Sequence, residues 1–241
     1  MAASFLNYTE SKSSAIKQAI LGKFINEGTD SIAEISREIG VSIPTVTKLI
    51  GELIDEGLIE EVGKLGTTGG RRPSIYGLNP SAGYIAGVEI RLHHISMAIT
   101  NFKGEIIDFQ EDIAYTLENS EESFRAFCTF LKNLVDKTGI DRTKVLAYGF
   151  NLSGRVNNET GYCFSYFIGE DRPVSQVFKE ELGAWVFVEN DSRAMTYGEY
   201  ICGIGNNEKN MLFLNVSWGL GMGMIIDGKL SYGKSGFSGE I

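Results

Sequence analysis

Asp30 to Asp55, DSIAEISREIGVSIPTVTKLIGELID, decides how this chain opens. Asp30-Ser31 offers an N-cap for a short helix whose buried face would be Ile32, Ile35 and Ile39. Gly40 supplies a turn. Ser42 then caps a further helix, with Pro44 in its first turn, where a missing N–H costs nothing. Val46, Leu49, Ile50, Leu53 and Ile54 recur at helical spacing and form its apolar stripe. Two short helices joined by a glycine turn make a helix-turn-helix unit, and the N-terminal half of the second helix is the part that enters a major groove. Here that half carries Ser42, Thr45, Thr47 and Lys48. Hydroxyls serve bases or phosphates, and an ammonium serves a phosphate or a guanine edge.

Working outward, Lys12 to Asn26 places Ile16, Ile20, Leu21, Phe24 and Ile25 at helical spacing, which adds a third helix ahead of the pair. Downstream, Leu58–Val62 and Ser74–Leu78 read as two strands. The Gly-rich loop between them carries Lys64, Arg71 and Arg72, a basic hairpin able to reach a phosphate or a narrow minor groove. The helices followed by DEGLIEE and this hairpin resemble the winged-helix domains of bacterial repressors. The same three helices would also build a module that packs on protein. Over residues 1–80 acids slightly outnumber the bases Lys12, Lys17, Lys23, Arg37, Lys48, Lys64, Arg71 and Arg72. On this reading the bases nearest the groove face no adjacent acids.

Composition bounds the rest. Hydrophobic residues make up 43% of the 241, enough for real cores. The net charge of −9 argues against indiscriminate nucleic-acid binding and leaves room for a small local site. No run approaches the roughly 20 apolar residues of a membrane helix, and the N-terminus lacks a basic start followed by an apolar stretch. The expected location is the cytoplasm. Cys128, Cys163 and Cys202 are odd in number and scattered, so they are expected to be buried free thiols. His93 and His94 read as surface or packing residues, and no metal ligands are assigned. The sequence stops at Glu240-Ile241 straight after a Gly-rich run, which leads us to expect that the natural protein continues.

Pro80-Ser81-Ala82-Gly83 reads as a linker, dividing a winged helix-turn-helix at 1–80 from a second domain at 81–241. Strands are expected at Tyr84–Ile90, Ile95–Thr100, Glu105–Gln110, Val145–Leu152, Trp185–Glu189, Met211–Val216 and Gly223–Ile226. Helices are expected at Ser123–Val135, Val174–Leu182 and Arg193–Cys202. Alternating strands and helices after a strand-rich start indicate an α/β domain.

VFVENDSRAMTYGEY (186–200) and LFLNVSWGLGMGMIIDGKLSYGKSGFSGEI (212–241) resemble the ROK family of repressors and sugar kinases. The resemblance implies a ribonuclease H-like, actin/hexokinase-type sugar-kinase fold over most of 82–241. The winged helix before it matches the repressor branch, the glucose, N-acetylglucosamine and xylose repressors. In the family's kinases, the Asp matching Asp191 takes a proton from the sugar hydroxyl, and the Asn matching Asn190 holds neighbouring hydroxyls. Asp191 would equally cap the helix that follows. Ser153-Gly154 resembles the family's Pro-Gly turn beside the sugar, or is an ordinary turn. Glu240 matches the Glu of Gly-Glu-Ile-Gly-His, which binds sugar hydroxyls. That motif's His, with a downstream cysteine cluster, implies a structural zinc held beyond Ile241 and no cofactor within this chain.

Gly219, Gly221 and Gly223 match the glycine loop that touches nucleotide phosphates in the kinases, although Gly-x-Gly-x-Gly also describes a tight hairpin. Trp218 stands where the kinases have a small residue or Thr, and Tyr166-Phe167 stands where many members have Pro-Asn. The kinases open this domain with Asp-x-Gly-Gly-Thr-Lys; here the run is Glu89-Ile90-Arg91-Leu92-His93, without the glycines that let backbone approach a triphosphate. The expectation is therefore a non-enzymatic regulator of carbohydrate genes, acting as a homodimer or higher homo-oligomer on operator DNA under a sugar or sugar-phosphate effector. The alternatives are an ATP-dependent sugar kinase with Asp191 as its base, and an adaptor for the phosphotransferase system.

Overall fold

A computed structural model describes residues 11–64, 72–116, 118–165, 172–206, 208–217 and 219–240. Arg71, Tyr166, Phe167 and Trp218 lie outside the described residues. The chain forms two compact units, Met1–Ile85 with Thr100–Ile107, and Ala86–Ile99 with Asp108–Ile241.

In the first unit α1 (Lys12–Glu27), β1 (Asp30–Ser31), α2 (Ile32–Ile39) and α3 (Ile43–Asp55) precede β2 (Ile59–Lys64) and β3 (Ser74–Leu78). The sheet runs β1-β3-β2, with antiparallel pairing throughout. The Ser31 side chain caps α2 by accepting from Glu34 N–H. Gly40 ends α2 in the left-handed conformation at φ 70°, which a β-carbon would strain, and α3 starts three residues later.

Ile20, Leu21, Phe24, Ile35, Val46, Leu49, Ile50, Leu53 and Leu58 form the core, each at most 5% exposed. Each such side chain contributes about 1.5–3 kcal/mol on burial. Ile25 and Ile54, expected on the buried stripes, are 67% and 39% exposed. The reason is geometric: α1 buries 17, 20, 21 and 24 and α3 buries 46, 49, 50 and 53, so Ile25 and Ile54 both fall past the edge of a one-helix-wide seam. Ser42 also departs from expectation. It makes no cap bond to the backbone of α3, and its hydroxyl instead meets Thr45 Oγ1 at 2.9 Å.

Two of the lysines counted among the bases of residues 1–80 are buried. Lys17 lies between α1 and α3, 2.8 Å from Glu52 and 2.6 Å from Glu56. Lys23 is paired with Glu27, Asp30 and Glu38. Burial alone would lower the Lys17 ammonium's pKa, but Glu52 and Glu56 together raise it. Hydrogen bonds to Glu27 and Glu38 raise that of Lys23 against the same penalty.

The second unit holds most of β4 (Tyr84–Ile90), β5 (His94–Asn101) and β6 (Ile106–Ala114), whose residues 84–85, 100–101 and 106–107 are counted with the first, and all of α4 (Glu121–Lys137), β7 (Val145–Leu152), β8 (Val156–Asn157), β9 (Tyr162–Cys163), α5 (Val174–Leu182), β10 (Trp185–Asn190), α6 (Asp191–Cys202), β11 (Met211–Val216), β12 (Leu220–Ile226) and β13 (Lys229–Leu230). The main sheet is ordered β10-β7-β4-β5-β6, with β7 and β10 parallel. Period-two burial of Ala86, Val88 and Ile90 and of Ile95, Met97 and Ile99 is what makes the first runs strands. Phe124 and Phe127 of α4 pack with Phe178 of α5, and Phe178 reaches Phe150 of β7 at 4.5 Å between centroids. Among the thiols only Cys128 is buried, where desolvation pushes it up to about 12. Cys163 is half-buried and Cys202 exposed, because the latter ends α6 instead of facing a sheet.

β11, β12 and β13 form a separate sheet against α6. Of the two readings of Gly-x-Gly-x-Gly, a loop or a tight hairpin, the structure shows the hairpin: β12 starts at Leu220, ahead of the expected Gly223, and places Gly221 and Gly223 opposite Asn215 and Phe213 of β11. A β-carbon at Gly221 would run into the Ser192 hydroxyl, and one at Gly223 into Thr196. These glycines let helix and strand approach closely. Gly219 alone sits in the turn, where a β-carbon meets nothing within 4 Å. Gly223→Ala should therefore destabilise the second unit by about 1–3 kcal/mol through overpacking, while Gly219→Ala leaves it unchanged. Calorimetry of the two variants checks this, and equal melting temperatures would contradict it.

Candidate functional site

Two sets of polar side chains stand out, one in each unit. On α3, Thr45, Thr47 and Lys48 are exposed along its first two turns. Thr47 donates its hydroxyl hydrogen to Ile43 O at 2.8 Å, leaving the oxygen as an acceptor. Ser42 and Thr45 share one hydrogen bond, so the pair has a donor hydrogen to spare. Lys48 is 75% exposed, and contrary to expectation an acid does stand beside it: Glu52, at 3.7 Å. Arg72 and Lys64 are exposed at the two strands of the hairpin. Ile43, off the apolar stripe with Thr45, Thr47 and Lys48, is 53% exposed at the start of α3. An apolar side chain in that position suits a thymine methyl group.

The second set gathers at the β10–α6 junction. Asn190, not Asp191, is the N-cap: its Oδ1 accepts from Arg193 N–H at 3.0 Å. Its Nδ2 donates to Gly154 O at 3.0 Å, tying the cap to the 153–154 turn. Asp191 is thereby free of capping duty and opens the helix. Its Oδ2 accepts from the Ser153 hydroxyl at 2.8 Å and its Oδ1 from Ser192 N–H at 2.7 Å. An ionised carboxylate has about four acceptor positions, so Asp191 can receive further hydroxyl hydrogens, and the first helical turn favours its negative charge.

Glu240 reaches the same neighbourhood through the backbone. It bridges to Gly221, and Met222 N–H donates to Gly239 O at 3.2 Å. Gly221 in turn abuts Ser192, next to Asp191. Ser153, Gly154, Asn190, Asp191 and the Glu240 segment are thus brought together, whereas Gly219 is only the tip of the β11–β12 hairpin.

Sequence reasoning also missed Arg193. It is wholly buried, with Nε 2.7 Å from Glu189 and Nη2 donating to Val156 O at 2.6 Å. Tyr232 lies 5.7 Å from its guanidinium. Burial, with Glu189 close by, holds the Tyr232 phenol above its ordinary value. No local signal flags it, because α6 also carries Asp191, Ser192, Thr196 and Glu199, and its buried residues are Ser192, Arg193 and Thr196.

At the β4–β5 turn, Arg91 N–H donates to His94 O at 2.9 Å, and the guanidinium pairs with Glu89 at 2.9 Å and Asp112 at 3.4 Å. This is a tight connection without a glycine, and Arg91, Leu92, His93 and His94 are all exposed. Among the described residues no three His, Cys, Asp or Glu side chains cluster to hold a metal, and no helix is long and apolar enough to cross a membrane.

The comparisons agree with this division. A winged helix-turn-helix DNA-binding model matches residues 15–60, and the ROK family model matches 85–241. The xylose repressor of Caldicellulosiruptor bescii is 28% identical over 228 residues, which is 93% of this chain and 57% of that protein. A crystal structure of a ROK family transcriptional regulator, a homologue of the E. coli MLC protein, aligns over 93% of this chain and 58% of its own, with a TM-score of 0.73 at 22% identity. A ROK glucokinase from Streptomyces griseus, solved with glucose and AMPPNP, aligns over 66% of this chain and 49% of its own, with a TM-score of 0.55 at 26% identity. The chain thus spans under three fifths of the repressor's length (57%). Both halves of the fold are accounted for, and with the larger half matched from Ile85 to Ile241 the chain belongs to the ROK family.

Proposed function

We propose that this protein is a DNA-binding repressor of sugar-metabolism genes, and that a sugar or sugar phosphate bound at Asp191 controls it in the cytoplasm. The observation that carries the reading is the joining of an exposed Thr45–Thr47–Lys48 helix face and a ROK unit in one chain. The likeness to xylose repressors over 93% of its length supports it. In the second unit Asn190, Asp191, Ser153, the Gly154 turn and Glu240 supply the hydroxyl-binding groups. The protein acts as a homodimer or higher homo-oligomer, because one winged helix with few exposed bases gains effective concentration from a second. Ligand control then requires that the DNA-competent and incompetent states differ in sugar affinity.

A kinase is the second reading, favoured by the Asp191 carboxylate beside a hydroxyl and by the likeness to the glucokinase. Phosphoryl transfer depends on holding the nucleotide phosphates in line with the attacking oxygen. The Arg91 turn occupies the place of one phosphate cradle, and Gly221 and Gly223 are used for packing on α6. These features weigh towards sugar binding without phosphate transfer.

Selection of genomic fragments by the full chain should enrich a defined sequence. On that sequence Thr45→Ala should cost about 1–3 kcal/mol at one base position. Lys48→Ala and Arg72→Ala should weaken binding evenly across sequences, each lowering the salt slope by about 0.9. No enrichment over random duplex would sink the repressor reading.

The sugar site separates the two readings. Calorimetric titration with a panel of pentoses, hexoses and amino sugars, xylose first, should show binding to the native chain. Asp191→Asn should abolish it while operator affinity stays unchanged. With magnesium-ATP and the bound sugar, no ADP should form; sustained turnover lost in Asp191→Asn would establish the kinase instead.

A further inference from the structure

Glu52 lies one turn beyond Lys48 on α3, and its carboxylate meets two ammonium groups, one at each oxygen. Lys17 Nζ is 2.8 Å from Oε2, whereas Lys48 Nζ is 3.7 Å from Oε1. The first is a charge-assisted hydrogen bond and the second a looser ion pair. The side chain of Lys17 is 9% exposed and that of Lys48 is 75% exposed. Lys17 also holds Glu56, the C-cap of α3, at 2.6 Å. The winged helix therefore keeps a positive charge inside, on α1, where it engages the acids at the far end of the helix that would face DNA.

This matters because α3 is itself acidic. Between Ile43 and Asp55 its one base, Lys48, stands against Glu52 and Asp55. DNA carries one negative charge per roughly 1.7 Å of duplex. A Glu52 without a counter-charge would repel a phosphate near Lys48 and would also retain the Lys48 ammonium in an i,i+4 pair.

We infer that Lys17 is a positioning residue for DNA binding: its buried ammonium occupies Glu52 and so leaves Lys48 available to a phosphate. The inference rests on the DNA-binding reading above. It assigns an electrostatic part in recognition to a residue that does not reach the nucleic acid. A residue that merely ties α1 to α3 would affect melting and not the salt dependence of binding.

The test uses the full chain and a fluorescently labelled random-sequence duplex, with anisotropy followed over a range of sodium chloride. Lys48→Ala removes the phosphate contact directly. Lys17→Met should reproduce it, weakening binding by about eightfold at 0.1 M salt and lowering the slope by about 0.9. Adding Glu52→Gln to Lys17→Met should restore both quantities, and Lys17→Arg should stay near native. Lys17→Met should add little to Lys48→Ala, since the two act through one contact.

An unchanged slope in folded Lys17→Met, failure of Glu52→Gln to restore it, or full additivity with Lys48→Ala would each overturn the inference. Should Lys17→Met not fold, Lys17→Met/Glu56→Gln is compared with Lys17→Met/Glu52→Gln/Glu56→Gln, and only the former should show the lowered slope. If the native chain binds no duplex at low salt, the DNA reading falls and takes this inference with it. Native binding with an unaffected Lys17→Met overturns the inference alone.

Discussion

The buried guanidinium of Arg193 is the interaction on which the sugar-kinase-like unit depends. Removing a charge from water costs several kcal/mol unless it is paired and hydrogen-bonded. Arg193 meets that cost with Glu189 at the end of β10, the Val156 carbonyl in β8 and the ring of Tyr232. Those three partners belong to three separate segments, so satisfying the charge fixes them relative to one another. The backbone N–H of the same residue is what Asn190 caps. Asn190 in turn holds the Gly154 carbonyl, and Asp191 holds Ser153. The hydroxyl-binding candidates are therefore placed by a structural charge behind them, and among the described residues Arg193 Nη1 has no hydrogen-bond partner.

Close approach provides the second constraint. α6 can present Asp191 beside the Glu240 segment only if β12 comes within backbone distance of it, and that needs glycine at 221 and 223. The same glycines would suit a phosphate loop, so the motif is ambiguous in one dimension. In this fold both glycines stand against α6, at Ser192 and Thr196. At the β4–β5 turn, where the sequence has no glycine run, Arg91 pairs with Glu89 and Asp112 instead.

Much of this was legible in the sequence. The helix-turn-helix followed from the Ile35 face, Gly40 and the Val46–Leu53 stripe, because period and turn chemistry are local. The sheet strands followed from alternation at Ala86–Ile90 and Ile95–Ile99. Stripe edges were not legible: Ile25 and Ile54 continue the periodicity, and only the width of the seam decides their exposure. Nor did sequence tell a surface lysine from a buried one. Lys17 and Lys23 lie at helical spacing among apolar residues, and their partners at Asp30, Glu38, Glu52 and Glu56 come from other segments. The Asn190 cap was missed for a related reason, since Asn and Asp are adjacent and either could have taken the role.

Buried lysines also change how the acidic composition bears on nucleic-acid binding. A net charge of −9 repels DNA at long range, but that repulsion decays over a Debye length of about 8–10 Å at ordinary salt. Within that distance what counts is which charges are already engaged. Lys23 is engaged by Glu27, Asp30 and Glu38, so its charge is spent inside and offsets only part of theirs near the α1–α2 connection. Lys17 does the same at the far end of α3, where Glu52's own pKa is lowered first by the hydrogen bond from Lys17. The domain thus holds two bases, Lys17 and Lys23, inside, while Lys12, Arg37, Lys48, Lys64 and Arg72 are exposed.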